Sequence, residues 1–252
     1  MPLEHIAENL RTVRARMVAA AGRANRDPDE ITLIAVSKTF GVDHVRAAWA
    51  AGQREFGENK VQEALQKIGD TADMPSKWHL IGHLQSNKAR KASAPFECIQ
   101  SVDSLDLLLR LDAGAAEAGA MPDVFVQVDL AGEATKFGAP SDAARRLVDA
   151  ALGCRAVKLR GIMLLPPWSD NPELARPWFR QLRALQQAWI ADGVPRDALR
   201  HLSMGMSHDF EAAIEEGATM VRVGTAIFGK RAKPPGGEVH LQRPRQGDGT
   251  TG

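Results

Sequence analysis

A chain of 252 residues suits one α/β barrel or two smaller domains, and 44% hydrophobic with 25% charged residues is ordinary for a globular protein. With 32 Lys and Arg against 31 Asp and Glu, no net field favours nucleic acid or an anionic membrane, so an anionic ligand must be held by a local site. The first residues carry acidic groups and no signal-type apolar core, and no apolar run approaches the length of a membrane span.

Leu3, Ile6, Leu10, Val13 and Met17 recur at helical spacing up to Gly22, which predicts a first helix over 3–22. The apolar run Ile31–Ser37 predicts the first strand and sets Lys38 at its end. Burial disfavours an ammonium and drives lysine toward the neutral amine that imine chemistry with an aldehyde requires. The alternative is that Lys38 extends its charge into water.

Further strands are predicted at Glu55–Phe56, Trp78–Ile81, Cys98–Val102, Val124–Val128, Leu159–Leu164, Leu199–Leu202 and Met220–Val223. Helices are predicted between them at 43–51, 59–69, 85–91, 105–118, 141–152, 172–192 and 209–216. Ser104 and Ser141 are expected to cap two of these, and Gly52, Gly69, Gly153, Gly193 and Gly217 to end others. Eight strands alternating with helices through short connections predict an α/β fold, a single TIM-type (β/α)8 barrel over residues 1–231. The N-terminal helix is expected to close the ring, and a doubly wound open sheet is the rival. Residues 232–252, rich in Pro, Gly and Arg, are expected to be a disordered tail, and no second domain is foreseen. The cysteines, Cys98 and Cys154, read as reduced, buried thiols of a cytoplasmic protein.

The strongest local chemistry lies in Leu202-Ser-Met-Gly-Met-Ser207 and Met220-Val-Arg-Val-Gly-Thr225. In a barrel the loops after strands seven and eight form a recurrent phosphate site, and glycine lets backbone N–H groups approach an anion closely. Ser207 either meets a phosphate or caps the helix that follows. Closure brings strand eight beside strand one, so Lys38 faces these loops; period-two alternation puts Arg222 and Gly224 on one side of their strand. An imine-forming lysine, an arginine and a phosphate cradle in one mouth describe a site for pyridoxal 5′-phosphate.

At Ala35-Val-Ser-Lys38, Phe56-Gly-Glu-Asn59, Trp78 to Lys88, Ser203 to Ser207 and Val221 to Gly229 the chain resembles the pyridoxal phosphate homeostasis protein family, from about residue 5 to residue 231. The resemblance implies a barrel like the N-terminal domain of bacterial alanine racemase, without that enzyme's second domain. It implies an imine between Lys38 and the cofactor, Ser203 or Ser207 with Gly224 and Thr225 at the phosphate, and Arg222 near the pyridine nitrogen. Lys60 stands where the family often has tyrosine. Asn59 lies near the ring or caps the helix that begins at Val61. His79 is expected to line the barrel mouth, since two histidines four apart on an extended segment are badly placed for one metal. Met163 is expected to fill the barrel and reach the cofactor face, while Lys136 attracts a phosphate or is simply solvated.

An arginine at the pyridine nitrogen disfavours its protonation and weakens the electron sink. In alanine racemases the second acid/base is a tyrosine, and this chain has no tyrosine. The expected function is therefore to hold the cofactor in intracellular vitamin B6 homeostasis, with a weak racemase or decarboxylase using His79 or His201 as the alternative. Expected partners are pyridoxal 5′-phosphate and apo-enzymes that use it, and the chain is expected to be a monomer with no nucleic-acid or membrane partner.

Overall fold

The computed structural model describes residues 3–132 and 137–229; Lys136 and the 232–252 segment lie outside the described residues. The barrel strands are β1 (Thr32–Val36), β2 (Glu55–Glu58), β3 (Lys77–Leu80), β4 (Cys98–Val102), β5 (Asp123–Asp129), β6 (Lys158–Leu164), β7 (His201–Met206) and β8 (Met220–Val223). Each pairs in parallel with the next, and β8 returns to β1 through Leu33↔Val221 and Ile34↔Arg222. The ring is therefore closed, as expected of a TIM-type barrel, and the open-sheet rival fails. A two-residue strand, Ala139–Pro140, adds to β5 outside the ring.

The strands are apolar on both faces because both are covered. Leu33, Ala35, Val221 and Val223 face outward into the main hydrophobic core. The helices on that side are α1 (Glu4–Arg23), α2 (Val42–Ala50), α3 (Val61–Asp70), α4 (Ala89–Ala92), α5 (Leu105–Ala118), α6 (Ser141–Leu152), α7 (Arg176–Ala191), α8 (Phe210–Glu215) and α9 (Thr225–Phe228). Helix α1 buries Ile6, Leu10, Val13 and Met17 and packs on α2, α8 and α9, so it does close the ring. Asn9 Nδ2 ties it down by donating to Ile227 O at 2.8 Å.

Some local expectations shift. Strand β7 runs from His201 to Met206, not Leu199 to Leu202, so Ser203 belongs to the strand and not to the loop after it. The span 85–91 divides into a 3-10 turn, Ser86–Lys88, and α4; 172–192 likewise divides into Pro172–Ala175 and α7. Ser104 caps α5, accepting from Leu107 N at 3.3 Å, but Ser141 is itself the first residue of α6 and makes no cap bond. Both cysteines are free thiols, Cys98 buried inside the barrel and Cys154 only half-buried; burial raises the pKa of both, Cys154 to about 11.

Candidate functional site

The C-terminal ends of the strands open into a cavity of about 380 Å³. Lys38 and Asn59 line it from the β1 and β2 ends, and Ser207, Arg222, Gly224 and Thr225 from the β7 and β8 ends. Val36, Ile81 and Leu165 supply apolar wall, and Trp168 and His208 stand together with ring centroids 5.0 Å apart. Six of the nine residues expected at the site thus meet around one space. His79, Met163 and Ser203 are not among its lining residues.

Lys38 is half-buried in the turn that leaves β1. The residues on either side of it are gripped from outside the barrel. Lys67 Nζ, on α3, donates to Ser37 O at 2.8 Å and pairs with Glu58 Oε1 at 2.7 Å and Glu63 Oε1 at 2.8 Å. Ser37 Oγ donates to the same Glu58 oxygen at 2.6 Å, and Thr39 N donates to Glu63 Oε1 at 2.6 Å. Thr39 adopts φ +70°, an unfavourable conformation for a β-branched residue, which the bond to Glu63 helps to hold. Burial raises the Glu58 pKa beyond what Lys67 and Ser37 lower it. At Glu63 burial also pushes upward, but the hydrogen bonds from Lys67 and Thr39 prevail and hold the carboxylate low.

On the other side of the mouth Ser207 Oγ accepts from Gly224 N at 3.0 Å and Ala226 N at 3.4 Å, tying the β7 and β8 loops together. It does not cap the helix that follows: α8 starts at Phe210 behind Asp209 and has no side-chain cap. Nor does Asn59 cap α3, whose cap position is Lys60. Instead the Asn59 backbone lies so close to residue 82 that a Cβ there would come within 2.3 Å of Asn59 O, which explains glycine between Ile81 and His83.

Arg222 is 3% exposed, with Nη1 donating to Ser203 Oγ at 2.6 Å and Nη2 to Leu164 O at 2.9 Å. Burial brings its pKa down to about 10, against the opposing charge of Asp209, so it remains a cation at neutral pH. Ser203 is thus a partner of Arg222 in the interior, and Ser207 is the serine at the cavity. Met163 packs with Cys98 and Phe125 inside the barrel, as filling, without reaching the cavity. His79 is the largest correction: it is buried in the barrel with Nε2 2.6 Å from Glu55 Oε2. Glu55 begins β2, at the opposite end from the mouth, so His79 leans toward the floor. His201, the first residue of β7, stacks on Phe125 and donates or accepts with Thr219, also away from the cavity.

Trp168, His208 and the brace of Glu58, Glu63 and Lys67 escaped the sequence reading. His208 had a visible signal, since it directly follows Ser207. Trp168 lies in a proline-rich loop without a motif, and Lys67 looks like any exposed helix residue until Glu58 and Ser37 are folded against it.

The sequence model for the alanine racemase N-terminal domain matches residues 2–232. A pyridoxal phosphate homeostasis protein of Pseudomonas aeruginosa is 44% identical over 227 residues, 90% of this chain and 96% of that one. Its counterpart in Aquifex aeolicus is 40% identical over 227 residues, covering 89% and 97%. Among solved structures, PipY of Synechococcus elongatus with PLP bound superposes with TM-score 0.78 at 40% identity, over 89% of this chain and all of PipY. Alanine racemase of Streptomyces lavendulae shares the fold, with TM-score 0.67 at 23% identity, but this chain covers 58% of it.

Proposed function

Because the chain belongs to the pyridoxal phosphate homeostasis protein family, we propose that it binds pyridoxal 5′-phosphate at the barrel mouth and serves intracellular vitamin B6 homeostasis as a carrier of that cofactor. The observation that carries the reading is the convergence of Lys38, Ser207, Arg222, Gly224 and Thr225 on one cavity with apolar walls. Its volume is that of a small-molecule site, and the hydroxyls of Ser207 and Thr225 on its wall suit a phosphate ester.

In this reading Lys38 would hold the cofactor covalently, its amine condensing with the aldehyde carbon and releasing water, from a turn held still by Lys67, Glu58 and Glu63. Ser207 and Thr225 would hold the phosphate, with Gly224 leaving room for its approach, Asn59 would stand beside the ring, and Arg222 would meet the pyridine nitrogen. Bound pyridoxal phosphate supplies an electron sink, which is strongest when the nitrogen is protonated beside a carboxylate. Arg222 presents a cation there instead, and it works against that proton. His79 and His201, the bases of the racemase or decarboxylase alternative, are not among the cavity-lining residues. The proposed working form is a cytoplasmic monomer that passes the cofactor to apo-enzymes. No helix among the described residues is long and apolar enough to cross a membrane.

The experiment is spectroscopic. The protein incubated with pyridoxal phosphate is expected to show a visible absorption band, and borohydride is expected to fix the cofactor on the peptide containing Lys38. Lys38→Ala is expected to lose both. A missing band in the native protein, or a borohydride-fixed label that survives in K38A, rejects the proposal.

A further inference from the structure

Below the cavity a line of buried side chains crosses the barrel from Arg222 to its floor. Its direction follows from the hydrogen bonds that Arg222, Ser203 and Gln100 make. Arg222 has only donors, so Ser203 Oγ accepts from Nη1 at 2.6 Å, and the Ser203 hydroxyl donates to Gln100 Oε1, also 2.6 Å away. That fixes the Gln100 amide, whose Nε2 then faces His79 Nδ1 at 3.1 Å. Nδ1 is therefore the accepting nitrogen, and the ring hydrogen sits on Nε2, 2.6 Å from Glu55 Oε2. The reverse amide orientation would turn Gln100 Oε1 toward Met220 Sδ, which the nitrogen now approaches at 3.7 Å as a weak donor.

Ser203, Gln100 and His79 are all 2% exposed or less, so water cannot replace a lost link. Glu55 is different. Its side chain is 22% exposed at the barrel floor, with Lys77 Nζ 3.6 Å away, and it ends the line as a pure acceptor. Arg222 meanwhile has one backbone acceptor, Leu164 O, and one side-chain acceptor, Ser203, fixing the plane of its guanidinium.

We propose that His79 is a positioning residue for Arg222: anchored on Glu55, it orients the Gln100 amide, which orients the Ser203 hydroxyl, which holds the guanidinium at the cavity. Without the imidazole, the Gln100 nitrogen keeps only its weak contact with Met220 Sδ, and the amide is released to turn over. Ser203 then loses its acceptor, and its hydrogen competes with Arg222 Nη1. The aiming of Arg222 stands on this geometry alone; its effect on the cofactor rests on the function proposed above.

The test reads Arg222 directly, by nitrogen-detected NMR of its guanidinium in the protein without cofactor. The native protein is expected to show separate, slowly exchanging Nη signals, His79→Leu to merge them, and His79→Gln, which keeps one donor and one acceptor, to restore them. In the cofactor-loaded protein H79L is expected to move the visible absorption maximum and to weaken retention about tenfold, as for one lost hydrogen bond to a charged group. Folded H79L with separate Nη signals and a native absorption maximum overturns the proposal, leaving His79 as barrel filling. If H79L does not fold, Ser203→Ala decides, since it removes one oxygen: unmerged Nη signals there overturn the proposal as well. Should the native protein show no visible band, the cofactor assignment fails while the Nη signals still decide this one.

Discussion

Lys38 and Arg222 line the same cavity, yet the turn that carries Lys38 is braced from outside the barrel by charged side chains, and Arg222 is braced from inside by neutral ones. The outer brace grips backbone atoms, Ser37 O and Thr39 N, on either side of the lysine. The inner brace grips the guanidinium itself. The difference matches what the proposed function asks of each side chain. A covalent anchor needs a fixed backbone below a side chain that swings to meet its partner. A purely electrostatic partner needs a fixed side chain, because its effect depends on where the charge already is.

The largest effect should come from the charges. Lys67→Met keeps much of the side-chain volume but strands the Glu58 carboxylate, and is expected to cost about 3–5 kcal/mol in urea denaturation. Ser203→Ala, in the inner line, is expected to cost about 1–3 kcal/mol. The opposite order would break the comparison. Next comes the strain between the two grips. Thr39→Gly relieves the left-handed backbone and is expected to raise stability by roughly 0.5–1 kcal/mol while speeding loss of bound cofactor. A stability loss in T39G would mean that the turn is not strained.

The smallest effect separates the two carboxylates of the outer brace. Glu63 is held low, so its contribution is present above the unfolded value of about 4.3 and is lost as pH falls through the lower folded value. The stability gap between native protein and Glu63→Gln should therefore be full near neutral pH and close on acidification, with a size under about 1 kcal/mol because Glu63 is partly exposed. Glu58, raised by burial, has the opposite slope: taking up a proton favours the fold as pH falls. A gap for E63Q that widens in acid would show that its pairing with Lys67 is not what holds it.

The barrel and its mouth were legible in the sequence because parallel strands buried on both faces leave continuous apolar runs, and because closure alone makes Lys38 a neighbour of Gly224. What could not be read was height within the barrel. Period two assigns Ser203 and His79 to the interior, yet does not say whether they reach the cavity or the floor; that depends on partners such as Gln100 and Glu55, far away in sequence. Ser203-Met-Gly-Met206 also lacks the β-branched residues that mark a strand, so β7 looked shorter than it is. The outer brace was hidden for a related reason. Lys67 joins Glu58 across 9 residues and Ser37 across 30, and no local pattern encodes such a meeting.

Trp168, 69% exposed at the rim, has a consequence of another kind. With five tryptophans and no tyrosine, the chain's intrinsic fluorescence is indole emission alone. Trp78 and Trp189 are buried in the outer core and Trp49 and Trp178 pack against it, which leaves Trp168 as the indole lining the cavity. A chromophore seated there would dim that one emitter first, and a protein docking over the mouth would shield the same ring from water. The fold thus carries an optical reporter at its own doorway, sensitive to whatever enters the cavity or covers it.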